Sequence, residues 1–310
     1  ASQEVDFGKS YLLKDINAGS SASNPLELTN VNGTLFFTAD NGKNGSELWK
    51  SDGTAAGTVL VKDIIAGKNG SNPKNLVNVN GTLFFTANNG KNGYELWKSD
   101  GTSAGTVMVK DLYNGKAGSN PSYLTNVNGT LFFQATDKNG AELWKSDGTS
   151  AGTVMVKDIR SGGLGSSPMN LTAWGSTVYF TATDGTRGVE LWKSDGTAGG
   201  TVIVKDIWTG SSTSSPANLT VFNNTLFFTA NDGTTGAELW RSDGTAAGTW
   251  LVKDIDTRAN TGSNPAYLTG LNGILYFQAT TLAYGAELWR SDGTDAGTWL
   301  VKDVNAGSVG

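Results

Sequence analysis

Apolar positions in this chain come in short runs broken by polar turns, and no stretch keeps a helical period long enough to build a helix. Tyr11-Leu12-Leu13-Lys14-Asp15-Ile16 reads as a strand, and Leu28-Thr29-Asn30-Val31 as the next. Asn32-Gly33 separates the latter from Thr34-Leu35-Phe36-Phe37-Thr38-Ala39. Asn-Gly between two apolar runs predicts a tight hairpin, because a type I′ turn needs φ > 0 at both central positions. It returns as Asn80-Gly81, Asn128-Gly129 and Asn272-Gly273, and is softened to Gly175-Ser176 and Asn223-Asn224. A second turn, ending in Gly45, leads to Glu47-Leu48-Trp49, and a Gly-Thr turn leads to Val59-Leu60-Val61-Lys62-Asp63-Ile64. Leu35-Phe36-Phe37 is apolar at consecutive positions, which predicts a strand buried on both faces.

The whole cycle repeats. Glu-Leu-Trp-x-Ser-Asp-Gly-Thr stands at 47–54, 95–102, 142–149, 190–197, 238–245 and 287–294. Its tryptophans, Trp49, Trp97, Trp144, Trp192, Trp240 and Trp289, are 48, 47, 48, 48 and 49 residues apart. All six prolines (Pro25, Pro73, Pro121, Pro168, Pro216, Pro265) occupy one slot, where a fixed φ and a missing N–H suit the start of a strand. Four short strands per ~48 residues, six times over, predict an all-β, six-bladed β-propeller of four-stranded meander blades in one domain, 1–310. The blades are expected at about 26–64, 74–112, 122–159, 169–207, 217–255 and 266–304, with 1–10 as a lead-in. A β-solenoid is the rival, but its coils are shorter and have fewer tight hairpins.

One count breaks the pattern. The Lys-Asp strand occurs seven times, once at each end of the chain, so 11–16 and 299–304 compete for one outer slot. The C-terminal copy follows a short hairpin from Trp289, and closing a short loop costs less entropy. It is therefore expected to fill the slot, leaving 11–16 as an extra closing or edge strand open to self-association.

On these residues the chain resembles the bacterial ELWxxDGT repeat family, often labelled hyalin-like, from 11 to 304. The resemblance implies a secreted or cell-surface bacterial protein and brings no catalytic residue with it. The Trp, turn and Lys-Asp strand are also similar to the third and fourth strands of WD-type blades. The start at Ala1-Ser2-Gln3, without Met, fits a mature form trimmed after a small-residue cleavage site, or a start chosen for expression.

Composition narrows the chemistry. The chain has no Cys and no His, which removes disulfides, thiolate sites, the commonest general base and the commonest transition-metal ligand. A net charge of −5 argues against nucleic acid, and no run of 18 apolar residues exists to span a membrane. About two-thirds of the charge sits at repeat positions, expected as ladder pairs between strands and as turn caps. Asp52, Asp100, Asp147, Asp195, Asp243 and Asp292 have the place of a turn cap, since Asp can accept from N–H groups two residues on. The repeated tryptophans are expected as packing between blades. No cofactor is expected; calcium is weighed at Asp40-Asn41-Gly42 and Asn231-Asp232-Gly233-Thr234, but the EF-hand pattern is missing.

A single active site in a repeat ring needs residues that break the symmetry. The non-repeat acids Glu4, Asp6, Glu27, Asp40, Asp137, Asp184, Asp232, Asp256 and Asp295 are the only candidates for a carboxylate pair, and most lie in turns. Seven unrepeated aromatics are candidate ligand contacts: Trp174, Trp208, Trp250, Trp299, Tyr94, Tyr113 and Tyr284. The expected function is a non-enzymatic secreted or surface module for structure or for protein interaction. A carbohydrate-binding, lectin-like propeller is the alternative, and a glycoside hydrolase stands behind both. If backbone hydrogen bonds alone hold the Asp/Asn turns, EDTA will leave the melting temperature unchanged; a fall of many degrees would assign those turns to calcium.

Overall fold

The computed structural model describes residues 10–305, and every regular element there is a strand. The strands form six separate four-stranded antiparallel meanders, each the blade of a β-propeller. Blade 1 is β1 (Leu26–Val31), β2 (Thr34–Asp40), β3 (Ser46–Ser51) and β4 (Val59–Lys62), hydrogen-bonded in that order. Blades 2 to 6 repeat it over 74–110, 122–157, 169–205, 217–253 and 266–302. Each proline directly precedes the first strand of a blade. Contacts group the chain into two compact units: 1–124 with 148–150, and 125–147 with 151–310. The first unit holds blades 1 and 2. The second holds most of blade 3 and all of blades 4 to 6.

Local chemistry sets the turns. Asn32 and Gly33 lie at φ 50° and 84°, as a type I′ hairpin requires, and the Gly33 N–H donates to Asn30 Oδ1 at 2.9 Å. The Asn223-Asn224 variant keeps positive φ at both positions, a conformation that Asn tolerates better than most residues. The turn before β3 needs glycine for a different reason. A Cβ on Gly45 would stand 2.5 Å from the Gly70 amide nitrogen, so two backbones meet where no side chain fits.

Each blade carries an apolar stripe on both faces. The trailing face of blade 1 is Val31, Phe36, Leu48, Val61 and Ile64; it packs on the leading face of blade 2, built by Leu76, Leu83, Phe85, Ala87, Trp97 and Met108. The second unit repeats this between blades 3 and 4, 4 and 5, and 5 and 6. The six repeat tryptophans are buried, yet their Nε1 atoms have no hydrogen-bond partner among the described residues. An orphaned N–H costs about 1–3 kcal/mol. Burying ~150–250 Å² of indole at ~25 cal/mol per Å² gains about 4–6 kcal/mol, so ring area outweighs the lost bond.

Two expectations are corrected here. Residues 11–16 form no strand, whereas Trp299–Lys302 is the outer strand of blade 6, with Arg290 opposite Trp299. The repeat lysines bond forward to backbone carbonyls in place of forming ladders, and none of the four ion pairs described joins two repeat-position charges. Of the lead-in 1–10, all but Ser10 lies outside the described residues, as do Glu4 and Asp6.

Leu143 is fully buried between blades 3 and 4, while its counterpart Leu288 in blade 6 is 46% exposed. Leu143→Ala should therefore cost about 2–5 kcal/mol in chemical denaturation and Leu288→Ala well under half of that. Trp144→Ala should cost about 3–5 kcal/mol, and an unchanged midpoint would remove the packing role.

Candidate functional site

Most of the repeat chemistry is spent on joining blade to blade. The buried Glu47 carboxylate accepts from the Ser71 N–H at 2.8 Å and the Ser71 hydroxyl at 2.5 Å, and also from the Ile64 and Ile65 N–H groups. One side chain thus pins the start and the end of the connector between blades. Glu95, Glu142, Glu190 and Glu238 hold Ser119, Ser166, Ser214 and Ser263 in the same way. Burial pushes these five carboxyls above their usual range, against the hydrogen bonds from serine that pull the other way.

The basic residues reach forward. Lys50 Nζ donates to Gly101 O at 2.8 Å and Lys62 Nζ to Thr106 O at 2.7 Å, both in the next blade. Lys145, Lys193 and Arg241 repeat the first bond; Lys157 and Lys205 repeat the second. Asp52 Oδ1 accepts from both the N–H and the hydroxyl of Thr54, and the Thr54 hydroxyl holds its carboxyl below the ordinary aspartate range. Asp100, Asp195, Asp243 and Asp292 do the same, so these aspartates act as turn caps. The weighed calcium turns are closed likewise. Asp232 Oδ1 takes the N–H and hydroxyl groups of Thr234 and Thr235, and Asp40 Oδ1 takes the Gly42 N–H.

The repeats differ most at one place, the residue after Lys-Asp-Ile. In the seven copies, counting Leu112 and Val304 as the Ile equivalents, it is Asn17, Ile65, Tyr113, Arg160, Trp208, Asp256 and Asn305. In several blades this side chain lies over the turn between the second and third strands of the following blade. Asn17 covers Gly42, Ile65 covers Gly90, Arg160 covers Gly185 and Trp208 covers Gly233. Charge gathers at these turns in the second unit. Arg187 lies 2.8 Å from Asp184 and 3.6 Å from Asp206, and Arg258 forks onto Asp256. Burial, with the nearby Asp256 and Asp232 charges, pushes the Asp254 carboxyl up. A variable side chain laid over a variable turn on a constant frame is where a repeat protein can carry specificity. We take this as the candidate site.

The seven unrepeated aromatics do not converge on one cavity. Trp174 stacks on Tyr179 at 5.2 Å and donates from Nε1 to Asn224 Oδ1 in the next blade, an inter-blade contact. Trp250 and Trp299 lie on outer strands, 43% and 46% exposed, beneath the guanidinium groups of Arg241 (4.7 Å) and Arg290 (4.4 Å). Tyr94 lies under the Lys74 ammonium, and Tyr284 is an exposed turn residue. Only Trp208 and Tyr113 belong to the variable position. Sequence reasoning missed Arg241 and Arg290, although a signal was there: Lys changes to Arg in the two blades where Val changes to Trp. A planar guanidinium stacks on indole better than an ammonium does.

Small polar notches lie where a hairpin turn faces the next blade. One, of about 170 Å³, is lined by Asn32, Thr34, Lys50, Ser99 and Asp100; another, of about 210 Å³, by Asn128, Thr130, Lys145, Ser176 and Asp195. In the first, Lys50 is held by the Gly101 carbonyl and Ser99 by Thr106. No group of three or more acidic residues among the described ones is placed to hold a metal ion, and no helix is long and apolar enough to cross a membrane.

No family model matches the chain, and no curated protein sequence is similar to it. Solved structures are similar in fold. One of two prolyl endopeptidases, studied for the role of inter-domain dynamics in catalysis and specificity, matches 93% of this chain at TM-score 0.54 and 10% identity. A puromycin-hydrolysing peptidase of Mycobacterium tuberculosis matches 94% at TM-score 0.52 and 11% identity, and a puromycin hydrolase matches 88% at 0.50 and 15%. The chain spans only 44–46% of each of those proteins. The likeness shows the fold, a β-propeller. It also corrects the expected function: the neighbours are peptidases, which displaces the structural or protein-interaction module, the lectin-like propeller and the glycoside hydrolase.

The two sets of carboxyls give the stability a defined pH dependence. The buried glutamates hold their protons more tightly folded than unfolded. Their contribution is therefore complete below the unfolded value of 4.5 and is lost as pH rises through the raised folded value. The turn aspartates contribute above 3.8 and lose their contribution as pH falls through their depressed values. Melting temperature should rise as pH drops from neutrality toward 4.5 and fall once it passes below 3.8. Glu142→Gln, which cannot titrate, should flatten the rise; an unaltered profile would refute the assignment.

Proposed function

We propose that this chain is a peptidase-associated propeller: it acts beside a peptidase catalytic unit and governs how peptide substrates reach it. The observation that carries this reading is the reach of the fold likeness. It takes in nearly all of this chain and less than half of each peptidase, leaving room outside the match for the reacting groups. The composition supports the same division of labour. With no His and no Cys in 310 residues, the chain has no imidazole to activate a serine and no thiolate to attack a carbonyl. In the prolyl endopeptidases, inter-domain dynamics bears on catalysis and specificity, so a propeller beside such a unit has a physical means of acting on access.

The variable connector positions supply the contact chemistry. Tyr113 offers a flat ring, Trp208 an indole laid on a turn, and Arg160 a planar cation for peptide carbonyls or carboxylates. A fluorophosphonate probe, which labels activated serines, should leave the isolated chain unlabelled. A panel of proline-containing peptides should show weak saturable binding, with Kd on the order of 0.1–1 mM, that Trp208→Ala weakens severalfold. Labelling of the chain, or binding of glycans with none of peptides, would overturn the proposal.

A further inference from the structure

The chain has five arginines, and four of them are engaged within the fold. Arg187 lies between Asp184 and Asp206, and Arg258 forks onto Asp256. Arg241 donates to the Gly293 carbonyl and lies over Trp250, and Arg290 lies over Trp299. Arg160 differs. Its backbone N–H donates to the buried Glu142 carboxylate at 3.2 Å, but its guanidinium has no hydrogen bond, ion pair or ring contact among the described residues.

The side chain is nonetheless held in one place. It is half-buried, and its stem lies on the turn between the second and third strands of blade 4. A Cβ on Gly185 would stand 2.9 Å from Arg160 Nε, 3.3 Å from Cγ and 3.4 Å from Cδ, so glycine leaves the room that the stem occupies. The carboxylate of that turn is already saturated. Asp184 Oδ1 takes the Thr186 N–H and hydroxyl and the Arg187 N–H, while Oδ2 takes Arg187 Nη1 at 2.8 Å. Asp206 lies 3.6 Å from Arg187 Nε, and Asp158, exposed two residues before Arg160, forms no ion pair with it. Arg160 is thus fixed from Cγ to Nε with both Nη groups unengaged. Such a planar fork matches the two oxygens of a carboxylate, and holding it in advance lowers the entropy lost on binding.

We propose that Arg160 is an anion subsite that takes a carboxylate of a peptide, either its C-terminus or an acidic side chain; this rests on the peptide-handling role proposed above. Trp208 has the equivalent position one blade later, with three indole atoms 2.5 to 2.9 Å from the place of a Cβ on Gly233. It too is pinned on a glycine and half-buried, and it offers an apolar surface beside the cation's blade. One blade further, Asp256 is 5% exposed and Arg258 takes both of its oxygens, so charge there is cancelled within the fold. Preference for a carboxylate therefore falls to Arg160 and apolar contact to Trp208.

The test is fluorescence anisotropy on the full chain with three labelled peptides that share a Pro-Phe core: a C-terminal acid, its amide, and an amide that carries one Glu. The acid, the Glu amide or both should bind about three- to tenfold tighter than the plain amide, and which of them does so tells a C-terminal anchor from a side-chain one. Arg160→Gln should erase that preference and leave binding of the plain amide as it was. It should also leave the melting temperature unchanged, because the guanidinium has no bond within the fold. Arg160→Lys, a point charge in place of a fork, should keep only part of the preference. Equal binding of all three peptides, or a preference that survives Arg160→Gln, overturns the subsite and leaves the peptide-handling role standing. An equal loss of acid and amide binding in Arg160→Gln assigns the side chain to packing and overturns the subsite as well. Binding of none of the three peptides overturns the peptide-handling role and the subsite with it.

Discussion

A four-stranded meander with apolar residues on both faces cannot bury itself, and that constraint organises this protein. Each blade needs a neighbour on either side, and its repeated side chains are arranged to meet one. Leu48 and Phe36 face forward, Phe37 and Trp49 face back, and Lys50 and Lys62 reach across to carbonyl oxygens of the following blade. Those two lysines explain why the basic residues need no acidic partners. A carbonyl is an acceptor already fixed in place, so the bond loses little entropy on the acceptor's side.

The same constraint explains where polar groups are tolerated. The buried glutamate in each of the first five blades is surrounded by backbone N–H groups and a serine hydroxyl, which satisfies both it and a connector that would otherwise have unpaired donors. The tryptophans forgo a bond for their N–H because their area gains more. Where the frame changes, the changes are coupled: Arg241 comes with Trp250, Arg290 with Trp299, and Tyr179 with Trp174. Each of these pairs joins two changes in one local contact. The residue that follows Lys-Asp and an aliphatic also changes from copy to copy, and it lies just beyond the outer strand, over the turn of the following blade at Asn17, Ile65, Arg160 and Trp208.

The sequence by itself determined the class of fold, the number of blades and nearly all their strands. Its signals were local and repeated: Asn-Gly fixes a hairpin through its own φ angles, proline fixes where a strand begins, and a doubly apolar strand announces two buried faces. The turn role of Asp52 and its equivalents was legible for the same reason, since donor and acceptor are two residues apart. What only the tertiary structure decided was every contact between residues about 48 apart. That lysines bond to carbonyls and not to carboxylates, that Glu47 grips Ser71, that the aromatics scatter, and that Lys14 is seated on Thr58 all depend on how one blade lies on the next. The two Lys-Asp-aliphatic ends are alike in sequence. One became a strand and the other did not, because only 299–302 has a third strand of its own blade to pair with.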